Sequence, residues 1–143
     1  FKMSKDDFAG LVDSDMDVLV TTPTFVNETI HSFFSEFIPQ ADEDYFLRAI
    51  ETICPEYLPE AKVFLNAKFF PPCNLSIMKY ELFQKYMRYV FSVTFEIEKY
   101  YDKLHFYRND RYMGYLVEWL LGIFLMHNKD ELKIAYTDML FYS

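Results

Sequence analysis

The sequence predicts an all-α fold: a compact bundle of six or seven helices with one or two strongly apolar helices at its centre. Three observations predict it. Apolar residues recur mainly at three- and four-residue steps, the period of a helix and not the alternation of a strand. The 143 residues include only 3 Gly and 6 Pro, too few for a turn-rich β-sandwich. Two long segments, 75–102 and 112–126, lack proline and are apolar round much of their circumference. A chain of this length fits one core that buries roughly 70% of the unfolded surface. Residues 1–143 therefore read as a single helical domain, with residues 1–20 as an acidic, loosely attached N-terminal segment. Phe1-Lys2 ahead of Met3-Ser4 read as a remnant before a natural start and are set aside.

Within that N-terminal segment, Phe8, Leu11 and Val12 fit a short helix that "DSDMD" interrupts. The next start is clearer: Thr22 can cap, Pro23 suits the first helical position, and Val26, Ile30, Phe33, Phe34 and Phe37 make one stripe as far as Pro39. Asp42 opens a helix whose inner face is Phe46, Ala49, Ile50 and Ile53, ended by Pro55. Pro59 begins another, with Val63, Phe64 and Ala67 inward, and Pro71-Pro72 stop it because neither ring supplies a backbone donor.

From Leu75 to about Asp102 the polar residues Glu81, Lys85, Arg88, Ser92, Glu96 and Lys99 trace one narrow wet stripe. The rest of that helix is an apolar arc wider than a surface helix needs. The following run, Tyr112 to Met126, carries Glu118 in its middle and is shorter than the roughly 20 residues a membrane span requires, so it reads as a buried central helix. Gly114 and Gly122 lie eight apart on one side of it. Each costs about 1 kcal/mol of helix propensity relative to Ala, which points to close helix packing. Asn128 with Glu131 resembles a capping box and predicts a last helix buried through Leu132, Ala135, Tyr136, Met139 and Leu140.

The net charge of −8 is unevenly placed: 13 acids face 3 bases in residues 1–60, against 5 acids and 7 bases in residues 78–113. A field of that sign disfavours nucleic acid and anionic membranes as general partners. The two cysteines, Cys54 and Cys73, form no metal-type pair, and residues 1–20 do not read as an apolar signal segment. Both features predict reduced thiols in an intracellular protein, whether cytoplasmic or nuclear.

Catalytic and metal chemistry are thinly represented. Asp13, Asp15 and Asp17 occupy the first three ligand positions of a calcium loop, but Val18 stands where the loop needs Gly and Thr24 where it needs an acid. Glu28 with His31, and Asp102 with His105, have the helical spacing of di-metal bundles but lack the further inward acids. No Gly-rich phosphate loop is present, and neither cysteine has a neighbour positioned to activate it. No enzyme activity, cofactor or metal is therefore expected. Glu118 has two readings: a wet edge or partner of a base such as Arg111, or a buried acid bonded to a Tyr that fixes helix register.

The excess aromatic surface is the main functional clue, since Tyr, Phe and Met favour the cores of protein interfaces. It predicts an intracellular adaptor or assembly domain presenting an aromatic face or groove to a partner protein, a homodimer included. Tyr86, Tyr89, Phe91, Phe95 and Tyr100 form the contact pool, and Gly114, Glu118 and Gly122 the helix-packing set. A small-molecule or lipid carrier with an apolar cavity is the alternative. Over about 20 residues, "YMGYLVEWLLGIF" after "FYRND" also resembles the central helix of the B-cell lymphoma family of apoptosis regulators. Gly114 matches that family's Gly, but Met113 and Tyr115 replace its Trp and Arg. "FLRAIETI" resembles its short interaction helix through Leu47 and Ile50, with Glu51-Thr52 where Gly-Asp belongs. The resemblance implies a domain that binds a partner helix.

Overall fold

The computed structural model describes residues 15–101 and 111–139. The chain runs β1 (Val18–Thr21), β2 (Thr24–Phe25), α1 (Ile30–Phe34), α2 (Gln40–Ile53), a 3-10 turn (Pro55–Tyr57), α3 (Leu58–Leu65) and β3 (Phe69–Phe70). A second 3-10 turn (Pro72–Asn74), β4 (Ser76–Met78), α4 (Tyr80–Tyr101), α5 (Tyr112–His127) and β5 (Ile134–Thr137) follow. This is a mixed α/β fold and not the all-α bundle of six or seven helices that periodicity predicts. Among the described residues, five α-helices accompany a three-stranded sheet ordered β4-β1-β5 and a separate β2-β3 pair.

The strands explain the error. Each is two to four residues long, too short to display an alternation. Of the acidic segment 1–20, residues 15–20 are described, and Val18, Leu19 and Val20 form the buried middle strand. A strand covered on both faces reads as an unbroken apolar run. Leu19 lies opposite Ile77 in the antiparallel pair with β4 and opposite Ala135 in the parallel pair with β5.

Three helix boundaries are corrected for the same reason. Thr22-Pro23 do not open a helix, because Thr24 and Phe25 pair with Phe70 and Phe69. The Val26 and Ile30 N–H groups then donate to the carbonyls of Lys68 and Ala67, both at 2.9 Å. Helix α1 starts only after Thr29, whose hydroxyl accepts from the Ser32 N–H. Helix α4 starts at Tyr80 and not Leu75, since Ser76–Met78 belong to the sheet. The predicted last helix is β5. Asn128 ends α5 instead of starting a helix, and the β-branched and aromatic run Ile134–Thr137 takes the edge of the sheet.

Helix α5 is the core of the molecule. Trp119 is fully enclosed, with Phe34 and Phe46 set edge-on to it at 5.6 and 5.5 Å. Helix α3 approaches α5 at Gly122, where an added Cβ would collide with the Phe64 ring. Helix α4 buries Tyr86, Tyr89, Val90, Val93 and Ile97 and leaves Phe91 and Phe95 52% and 58% exposed. No helix among the described residues is long and apolar enough to cross a membrane.

Candidate functional site

Among the described residues, backbone strain marks one place. Cys73 and Asn74 both sit at positive φ, 63° and 49°, and neither is glycine. Two successive left-handed residues with a Cβ cost on the order of 1–2 kcal/mol each, so the surroundings must enforce them. Three elements do so. The Thr21 hydroxyl at the end of β1 donates to the Pro72 carbonyl (3.2 Å), and the Tyr86 hydroxyl of α4 donates to Asn74 Oδ1 (2.7 Å). From α5, Glu118 Oε2 accepts the Cys73 N–H (3.3 Å). Asn tolerates the left-handed region through its short polar side chain; Cys73 has no such help and relies on the Glu118 contact.

Glu118 is half-buried, and that burial raises its carboxyl above the usual carboxylate range, against the pull of the Cys73 N–H and the Arg111 charge. A carboxylate held by a backbone donor at the edge of an apolar helix, with a raised pKa, is suited to take a proton from a hydroxyl. The two thiols differ: Cys73 is exposed on the strained turn, while Cys54 is buried and pushed up to about 12.

A second polar cluster closes the C-terminal end of α5. Asn128 is 4% exposed. Its Nδ2 donates to the Phe124 carbonyl (2.8 Å) and to the Tyr57 hydroxyl (3.2 Å), and its Oδ1 accepts from Lys85 Nζ (2.6 Å). Burial raises the Tyr57 hydroxyl pKa, opposed by its bond to Asn128. His127 Nδ1 lies 3.2 Å from Glu60 Oε2, and the His127 ring packs against Tyr57 at 4.0 Å, tilted by 30°.

The five predicted contact aromatics do not come together. Tyr86 and Tyr89 face the core, where burial raises both hydroxyl pKa values. Phe91 and Phe95 stack on each other at 5.8 Å on the outer face, and Tyr100 stacks on Tyr45 at 5.0 Å. Gly114 has nothing within 4 Å of an added Cβ, whereas Gly122 abuts Phe64. Of the acidic run, Asp13 lies outside the described residues. Asp15 pairs with Lys133 (2.8 Å), and Asp17 pairs with Lys79 (2.9 Å) and accepts the Lys133 N–H (2.9 Å). That N–H and Lys79 hold the Asp17 carboxyl below its usual range. His31 turns to Glu43 (2.6 Å) and not to Glu28, and Asp102 with His105 lies outside the described residues. Among the described residues no three His, Cys, Asp or Glu side chains converge as a metal would need.

The sequence reading missed the strained turn and the Asn128 cluster. Pro71-Pro72 are legible as a helix stop, but no sequence signal marks Cys73-Asn74 as a left-handed pair, and the spacing of Asn128 and Glu131 reads as an N-cap.

Set beside known proteins, residues 1–129 match the family described as a domain of unknown function, DUF4422. The chain belongs to the DUF4422 family. No curated protein sequence matches this family member. Among solved structures, its fold is similar to the apo structure of WbbM, a bifunctional glycosyltransferase, with a TM-score of 0.74 and 18% identity. The similarity covers 87% of this DUF4422 chain and 23% of the WbbM chain, so the chain spans under a quarter of that protein's length. This likeness speaks against the expected non-enzymatic adaptor domain, and the mixed α/β fold against the all-α apoptosis-regulator-like reading. The fold is one that an enzyme uses.

Proposed function

We propose that this DUF4422 chain is part of a glycosyltransferase and that the strained turn with Glu118 belongs to its acceptor site. The observation that carries the reading is the fold shared with WbbM along most of this chain. In the proposed reaction the acceptor hydroxyl oxygen attacks the anomeric carbon of an activated sugar. The bond from that carbon to the phosphate of the donor breaks, the phosphate leaves with the electron pair, and the hydroxyl proton passes to Glu118. A carboxylate with raised pKa is a better proton acceptor than an ordinary one, and its seat against the Cys73 N–H fixes one oxygen and leaves the other available. An intracellular place, where the free thiols Cys54 and Cys73 stay reduced, belongs to the same proposal. A protein partner or homodimer would add to this activity and not replace it.

The test is release of nucleotide from a panel of nucleoside-diphosphate sugars, with and without sugar acceptors, by the full chain and by Glu118→Gln. Acceptor-dependent release that falls about 10²- to 10⁴-fold in the variant is expected. Release unchanged by the substitution would remove Glu118 from the reaction, and no release with any donor would count against glycosyl transfer itself.

A further inference from the structure

One face of the molecule departs from the charge and polarity of the rest. Between α3, α5, β5 and the β2-β3 pair lies an open groove with two adjoining cavities of about 350 and 540 Å³, which share Val63, Phe69 and Met126. No acidic residue lines either cavity, in a chain with 22 acids. The charged side chains that do line them are Lys129 and Lys62, and neither ammonium has an ion-pair partner among the described residues. Around the groove stand large apolar side chains in water: Phe25 (77% exposed), Val63 (60%), Tyr136 (57%) and Phe69 (43%). Phe25 and Phe69 lie opposite each other in the β2-β3 pair with ring centroids 5.8 Å apart, so their rings stand on one side.

We infer that this face docks on the anionic surface of a lipid bilayer. Aromatic rings with a rim of unpaired lysines are the chemistry of that boundary: the rings enter the interface between head groups and chains, and the ammonium groups meet lipid phosphates. Charge selects this occupant. The whole chain, at −8, is repelled by an anionic surface, and a groove lined by unpaired cations and by no carboxylate is the place where that repulsion is weakest. An uncharged apolar partner would gain nothing from the two lysines. The inference stands apart from the glycosyltransferase reading, because it rests on this face and not on Glu118.

The experiment is co-sedimentation of the full chain with phosphatidylcholine vesicles, with and without phosphatidylglycerol, at low and high salt. Binding to the anionic vesicles, weakened by salt and by omission of phosphatidylglycerol, is expected. The pair Phe25→Ser with Phe69→Ser, both exposed, should weaken it about tenfold. Lys62→Gln and Lys129→Gln should each weaken it about fivefold. Phe91→Ser with Phe95→Ser, on the outer face of α4, should leave it unchanged. Absence of binding to anionic vesicles overturns the inference, as does binding that the groove variants leave untouched. Self-association abolished by the Phe25 and Phe69 changes, without vesicle binding, would assign the face to a second copy and overturn it equally. None of these readouts depends on sugar transfer.

Discussion

The two polar sites of α5 are built from similar materials to opposite ends. At Asn128, near the helix C-terminus, the side chain is enclosed and its polar atoms are all taken up by Phe124, Tyr57 and Lys85. At Glu118, in the middle of the helix, one carboxylate oxygen holds a strained turn through a single N–H, and the side chain remains half open. A saturated buried network has no capacity left for a ligand and acts on stability. An acid that supports strained backbone and keeps a free oxygen can act on a substrate.

The comparison is broken most sharply by substituting both sites and reading rate and stability together. Glu118→Gln should lose the large rate factor given above and melt no lower than the parent at neutral pH. The sign follows from the raised pKa. Folding favours the protonated acid, so its stabilising contribution is present below the unfolded pKa and is lost as pH rises through the folded one. A neutral Gln escapes that loss and still offers an oxygen to the Cys73 N–H. Asn128→Ala should do the reverse: a loss of about 1–3 kcal/mol in denaturant unfolding, because Lys85 and Tyr57 lose their partner, with the rate per folded molecule preserved.

A smaller contrast sharpens the packing half of the account. Gly122→Ala forces a methyl group into the buried Phe64 ring and should destabilise by about 1–3 kcal/mol. Gly114→Ala meets open space on the same helix and should gain about 0.5–1 kcal/mol of helix propensity. Equal effects of the two substitutions on the melting temperature would mean that close approach of α3 to α5 does not govern packing there.

The sequence carried what long elements can carry. The span of α5 and most of the inner faces of α2 and α4 follow from periodicity, since Phe46, Ala49 and Ile50, or Val90, Val93 and Ile97, recur over several turns, whereas Ile53 at the end of α2 and Val63 on the short α3, both expected inward, stand exposed. Strands of two to four residues leave no such trace. Val18–Val20 became legible as a strand only once β4 and β5 lay on either side. The width of the apolar arc on α4 misled for a related reason: Tyr86 and Tyr89 are covered by the protein's own core, while Phe91 and Phe95 stay outside. Of the candidate site, Glu118 stood out as the lone acid in an apolar run. Its partners did not, because Cys73, Asn74 and Tyr86 are joined to it by contacts between distant parts of the chain.

The most direct measurement is the pH dependence of acceptor-dependent nucleotide release by the full chain beside Glu118→Gln. A base whose pKa burial has raised predicts a rate that climbs with pH through a limb above the ordinary carboxylate range, and a variant profile in which that limb is missing. Parallel profiles for the two proteins, at whatever rate, would contradict the assignment of proton transfer to Glu118.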